Sequence, residues 1–322
     1  MRALRRNGWV IGLFCFFMLL LVFTKLIQPN FGVSGLESLA RAALPYAFAT
    51  VAMTIVVLAG GIDLSVAAIM AVASVSGAVL MQDFQGGLTV LAVAAVLAIG
   101  AATGAVNGAL VVVTRVPDIV VTLAMLFVWE GVALLILKAP GGTADPVLRG
   151  LILGGLAVPG VPAALTAWIP NALVVLAFCV AIVWLPLGRS RLGLSIYAIG
   201  SDKTAAFRSG IAVGRIRVLA YAVAGLFAAM GGLAVTMSTG VGEPIAGPYL
   251  MLSVAAVVLG GVALTGGIGG LLGPIIAVFI LRLVRLDLTL LSVDPNVTTI
   301  IEGTIMAVVV MAGGLLSTRR RR

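Results

Sequence analysis

Three acids stand inside long apolar runs of this chain: Asp63, Glu130 and Glu302. An ionised group in hydrocarbon costs at least a few kcal/mol, so each is expected to face a bundle interior or a wet cavity. Asp63 lies in Gly60-Gly61-Ile62-Asp63-Leu64-Ser65, where paired glycines loosen a helix. Its carboxylate and the Ser65 hydroxyl suit either a cap for the next helix or direct contact with a polar solute, and both readings are open. Glu130 follows Trp129, the aromatic-plus-acid pairing that stacks and hydrogen-bonds a sugar ring, or alternatively an interfacial belt with a headgroup-level acid. Asn107, between Gly104 and Gly108, reads as an interhelical hydrogen-bonding group or as a wall of the pathway. Glu302, one turn after Thr298 and Thr299, either pairs with a base or marks a helix end. The candidate solute pathway is therefore Asp63, Ser65, Asn107, Trp129 and Glu130.

The absent chemistry is as informative. With no histidine, and with Cys15 and Cys179 both deep in apolar runs, the chain lacks Ser-His-Asp catalysis, His-based zinc sites and any Cys-x-x-Cys pair. None of the lysines, Lys25, Lys138 and Lys203, follows a glycine, so there is no phosphate-binding loop. The chain is expected to bind no metal or cofactor and to be no enzyme by itself; any ATP energy must enter through another subunit.

The segment from Gly188 to Arg217 concentrates Arg189, Arg191, Lys203, Arg208, Arg215 and Arg217 between two apolar blocks. Short basic loops are retained in the cytoplasm. Inside it, Gly200-Ser201-Asp202 followed by Lys203-Thr204-Ala205-Ala206-Phe207-Arg208-Ser209 reads as an N-capped short helix stopped by Gly210. Small Ala205 and Ala206 would let that helix sit in a groove of a soluble partner; a solvated loop is the other reading.

The elements that must hold these residues are membrane helices. Hydrophobic residues make up 62% of the 322-residue chain and charged ones 10%, with a mean hydropathy of +1.25, and the apolar runs exceed the roughly ten residues of a barrel strand. At about 20 residues per crossing, segments near 8–26, 39–59, 62–81, 87–113, 117–138, 167–187, 216–238, 248–265, 268–284 and 297–316 predict an all-α polytopic protein with about ten transmembrane helices in a single domain, 1–322. With both termini inside, only Lys25, Arg41, Lys138, Arg149, Arg282 and Arg285 of the 20 basic residues fall outside, which favours cytoplasmic termini. The first apolar segment is too long for a signal sequence and lacks a small-x-small cleavage site, so it reads as a retained span. Residues 139–166, rich in Pro and Gly, are expected as an external loop. The net charge of +9 falls at membrane boundaries without aromatic interleaving, which points to topology rather than to nucleic acid, and the Arg319–Arg322 tail suits a stop-transfer anchor or anionic lipid headgroups.

In Ala52 to Val66, Leu192-Gly193 with Tyr197-Ala198-Ile199-Gly200, Ser209-Gly210-Ile211, Ala255 to Gly261, Gly266-Gly267 and Gly273, the chain resembles the permease subunits of bacterial ribose-type ABC sugar importers, which include xylose, galactofuranose and autoinducer-2 permeases. The resemblance runs from Gln28 to Gly314. It implies the ABC importer permease fold in the bacterial inner membrane, paired with a second permease, capped by a periplasmic sugar-binding protein and driven by ATP-binding subunits that use ATP and Mg. It also puts the family's cytoplasmic coupling motif on Gly200 to Gly210. The chain departs from the family pattern at Lys203, at Phe207-Arg208, at Leu250 and Leu252 after Tyr249, and at Gly267-Ile268-Gly269, as one half of a heterodimer would. The expected cargo is a pentose or related small sugar or polyol, with nucleosides or branched-chain amino acids as alternatives and an ion-coupled secondary transporter as the alternative of another class.

Overall fold

A computed structural model of the chain describes residues 2–83, 88–157, 162 and 166–319, and all regular structure among them is helical. In chain order the helices are α1 (Arg2–Ile27), α2 (Val33–Leu58), α3 (Val66–Asp83), α4 (Thr89–Thr114), α5 (Asp118–Ile136), α6 (Pro146–Gly150), α7 (Asn171–Arg189), α8 (Arg191–Ser201), α9 (Lys203–Arg208), α10 (Val213–Thr239), α11 (Tyr249–Leu259), α12 (Leu272–Leu290) and α13 (Pro295–Arg319). Of the described helices, α1 to α5, α7 and α10 are long and apolar enough to cross a membrane.

Helix α2 is the axis of the bundle. Every residue from Ala43 to Leu58 is buried, and α3, α7, α10, α11 and α12 pack around it. A helix that is apolar on all sides belongs in such a position, because no face of it needs water. Small residues set the closest crossing: Gly100, Gly104 and Gly108 of α4 meet Tyr221, Gly225 and Ala229 of α10 so closely that a methyl group at Gly104 would strike the Tyr221 carbonyl oxygen. In lipid, where apolar side chains gain nothing by leaving solvent, such backbone proximity is what holds two helices together.

The expected segments shift in two places that matter. The segment 62–81 becomes helical only at Val66, because the chain from Ala59 to Ser65 leaves α2, turns at Gly60 (φ +78°) and stays non-helical. The segment 248–265 contains an α11 of only 11 residues, about 16 Å at 1.5 Å per residue and too short to cross alone. Beyond it, Gly261, Gly266, Gly267 and Gly269 all adopt positive φ, which breaks the helix that hydropathy alone would continue.

Two sets of contacts gather connections at opposite ends of the helices. At the α9 end, the Trp9 indole donates to the Leu259 carbonyl at 2.9 Å, the Gly267 amide donates to Leu58 O at 3.1 Å, and Gly200 lies against Gly60 and Gly266. At the α6 end, residues 139–157 form a folded strap rather than an open loop. Gly141 and Gly242 exchange backbone hydrogen bonds of 3.1 and 2.7 Å, and Ala144 donates to Gly240 O at 3.0 Å. Asp145 caps α6 and accepts from Thr89 at 2.8 Å, Glu37 accepts from the Gly154 amide at 2.7 Å, and Asn171 donates to Leu153 O at 2.6 Å. Residues 158–161 and 163–165 of the expected loop, and Arg320 to Arg322 of the basic tail, lie outside the described residues.

Candidate functional site

Four of the five expected pathway residues form one hydrogen-bonded relay. The Asp63 carboxylate accepts from the Ser65 amide at 2.9 Å and from the Ser65 hydroxyl. Asn107 of α4 donates to Ser65 Oγ at 2.6 Å, and its amide oxygen accepts from the Trp129 indole of α5 at 3.0 Å. Asp63, Ser65 and Asn107 are fully buried. Of the two readings of Asp63, cap or solute contact, the structure shows a local turn: the carboxylate closes an Asx turn onto Ser65, two residues on. Thr122 of α5 clamps the same break, accepting from the Leu64 amide at 3.1 Å. The relay thus ties the interruption between α2 and α3 to α4 and α5, and leaves Asp63 Oδ2 buried without a partner.

Glu130 stays outside this relay and makes no hydrogen bond or ion pair among the described residues; its neighbours Phe127 and Val128 are exposed. An adjacent position on a helix points about 100° away, so Trp129 and Glu130 cannot share one inward contact. Glu302 pairs with Arg285 at 3.1 Å, the basic partner that its position called for.

The residues missed in the sequence lie one layer closer to α9. Asp118 opens α5, and its carboxylate pairs with Arg217 and accepts from the Tyr221 hydroxyl at 2.9 Å. A methyl group at Gly61 would strike both the Asp118 carboxylate and the Tyr221 hydroxyl. Arg217, placed in the sequence among the basic loop residues, is 8% exposed and lies within α10. Following Pro117, Asp118 reads as an ordinary first-turn acid, and only the packing of α10 onto α4 supplies its cation.

The basic segment folds as two short helices. Ser190 caps α8 and Asp202 caps α9, the latter accepting from the Thr204 and Ala205 amides at 2.8 and 2.9 Å; Gly210 then turns with φ +82°, as the sequence predicts. The exposed face differs from expectation. Ala206 is buried against Ile199 and Val213 of the same chain, so it presents nothing to a partner. Ser201, Asp202, Lys203, Ala205, Arg208, Ser209 and Gly210 are exposed, and Phe207, unremarked as a contact in the sequence, is 71% exposed. Gly200 is an internal crossing: any side chain there would collide with Leu58 O and the Gly267 amide. Tyr197 holds the same loop by donating to Gly269 O at 3.1 Å, and burial raises its hydroxyl above the ordinary tyrosine range, which keeps that proton in place.

Between α9 and the ion pair opens a cavity of about 720 Å³ lined by Gly60, Arg115, Asp118, Lys203, Arg217 and Thr265 among others. Its wall includes the α2–α3 break, the α4–α5 turn and the helix cap at Asp202.

The chain is 33% identical over 301 residues to the ribose import permease protein RbsC of Escherichia coli (strain K12), covering 91% of this chain and 90% of that protein. Its identity is 32% over 314 residues to the ribose import permease protein RbsC of Bacillus subtilis (strain 168), covering 96% and 92%, and 28% over 334 residues to the autoinducer 2 import system permease protein LsrD of Escherichia coli O9:H4 (strain HS), covering 98% and 95%. No solved structure matches it. Residues 35–310 match the family described as branched-chain amino acid transport system / permease component. With seven of the described helices long and apolar enough to span, the protein is a multi-pass inner-membrane permease and belongs to that family.

Proposed function

We propose that this chain is the membrane-spanning subunit of an ATP-driven importer for a small sugar, a pentose or related monosaccharide, and that α9 takes up the stroke of a separate ATP-binding subunit. The observation that carries this is the mounting of α9. It projects Lys203, Phe207 and Arg208 outward while Gly200, one turn before it, is in backbone contact with the α2–α3 break and the Gly266-Gly267 turn. No flexible side chain lies between them to absorb a push, and packed interiors transmit displacement rather than damp it. Relatives named as ribose permeases over nine-tenths of the chain support the sugar.

The path through the membrane fits ten passes with both ends cytoplasmic. In that path α11 and the non-helical residues 260–271 together make one pass, returning the chain to the Trp9 end of α1, and α12 and α13 make the last two. The distribution of Lys and Arg agrees with it. ATP and Mg would be used in the ATP-binding subunit, with a second permease completing the pathway and a periplasmic binding protein delivering the sugar.

The test is uptake of radiolabelled D-ribose and D-xylose by the assembled importer in liposomes, with ATP inside or outside. ATP on the coupling side should drive uptake, and Asp202→Ala with Arg208→Ala should leave ATP hydrolysis running while uptake is lost. Uptake on an ion gradient without ATP, or unchanged uptake by the double variant, would refute the reading.

A further inference from the structure

Near the middle of α12 the Arg282 guanidinium lies over the Tyr46 ring of α2, 4.7 Å from its centroid, and the Tyr46 ring meets that of Tyr249, at the start of α11, at 4.7 Å and 53°. Tyr249 and Glu243 line a gap of about 10 Å³ together with Ser74 and Met70, room for about one water molecule. The Arg282 guanidinium is engaged by the ring face alone. Arg282 Nε is buried without a hydrogen-bond partner, and among the described residues Arg282 forms no ion pair. The Tyr46 and Tyr249 hydroxyls and the Glu243 carboxylate likewise make no hydrogen bond there; only the Glu243 amide is engaged, donating to Ser74 Oγ at 3.0 Å.

The Asp63 relay differs in degree: Oδ1 accepts twice from Ser65, and only Oδ2 is buried without a partner. Charged side chains at membrane depth ordinarily pair with one another or face a pathway, and Arg282, over the Tyr46 ring, has no acid partner among the described residues. Two tyrosine faces suit the C–H surface of a sugar ring, and a guanidinium with a carboxylate suits its vicinal hydroxyls as donor and acceptor. The 240–248 segment above, Gly240-Val241-Gly242-Glu243-Pro244-Ile245-Ala246-Gly247-Pro248, is not helical, so Glu243 is carried on a connection between spans and Tyr249 opens the helix that follows it.

We infer that Tyr46, Tyr249, Arg282 and Glu243 form the solute-contacting station of the import path, built for a neutral polyhydroxylated ring and collapsed in this conformation. The inference rests on the import reading above and moves solute contact away from Asp63, Asn107 and Trp129.

Single cysteines at Tyr249, Arg282 and Asn107, each in a Cys15→Ser, Cys179→Ser background, would be placed in the assembled importer in membrane vesicles and treated with a membrane-impermeant methanethiosulfonate. Tyr249→Cys and Arg282→Cys should react about tenfold faster than Asn107→Cys, as accessible thiols do, and D-ribose or D-xylose should slow them while leucine does not. Reaction no faster than at Asn107, or protection by leucine alone, would overturn the assignment. Because cysteine at Arg282 can disturb folding, Tyr249→Phe and Arg282→Lys provide a second measurement: each should raise the KM for pentose uptake by about fivefold, the size of one lost hydrogen bond, with ATP hydrolysis unchanged. Unaltered KM in both would equally overturn it. If the unsubstituted importer takes up no pentose, the sugar reading falls and this inference with it; pentose uptake with unreactive thiols defeats the station alone.

Discussion

At the α6 end the connections are laced together by hydrogen bonds: the strap 139–157 ties α2, α3, α4, α7 and α10 through Glu37, Ala78, Asp145, Gly240 and Asn171. At the α9 end the contacts are backbone on backbone at Gly60, Gly200, Gly266 and Gly267, backed by the buried ion pair Asp118–Arg217. A hydrogen-bonded strap tolerates small shifts, because each bond keeps most of its strength over a few tenths of an ångström and a range of angles. A glycine crossing tolerates almost none, because atoms already in contact must move together. The difference suggests a fixed end and a driven end: one holds the helices in place, the other passes on a push.

The comparison breaks most readily at the ion pair. Arg217→Gln leaves the half-buried Asp118 beside Tyr221 without its cation and should cost about 1.5 to 3 kcal/mol, read as a fall in Tm of the detergent-solubilised protein; an unchanged Tm would mean that water compensates the carboxylate. Gly200→Ala comes next, since its methyl group must displace Leu58 O and the Gly267 amide, at a cost of about 1 to 3 kcal/mol. It should also depress uptake per ATP hydrolysed more than its stability loss accounts for, and normal coupling would remove the rigid link from α9 to the α2–α3 break. Asn107→Ala strands the Trp129 indole and one Ser65 contact, which should lower stability by about 1 to 3 kcal/mol while the preference between ribose and xylose stays the same; a changed preference would return Asn107 to the pathway. The smallest effect belongs to the α6 end, where Asp145→Ala removes a helix cap and the Thr89 contact for about 1 to 2 kcal/mol. Coupling measured as uptake per ATP should be untouched there, and a coupling defect would erase the contrast between the ends.

Much of this site was legible residue by residue. Asp202 read as a cap, Gly210 as a stop, Gly60-Gly61 as a loosened helix, and Asn107 as an interhelical hydrogen-bonding group or a wall of the pathway, because each reading depends on local side-chain and backbone preference. Ala206 was misjudged for a definable reason. In a helix of six residues, which side faces the protein depends on where the flanking helices lie, and no periodicity that short can tell an inward alanine from an outward one. Asp118, Arg217 and Tyr221 escaped notice because the acid and its partners are 99 and 103 residues apart, with nothing local in either segment to mark them as a pair.

The sequence by itself determined that the chain is helical and lies in a membrane, which segments are apolar, and where several helices are capped or broken, since these follow from side-chain type and from hydrogen-bonding needs met within a few residues. Tertiary structure alone decided that Asp63, Ser65, Asn107 and Trp129 are linked by one chain of hydrogen bonds, that Arg282 lies over Tyr46 with no acid partner among the described residues, and that Gly200 rests on Gly60 and Gly266. Those outcomes depend on how helices distant in sequence rotate and cross, and a buried polar group is matched or stranded only once its neighbours are in place.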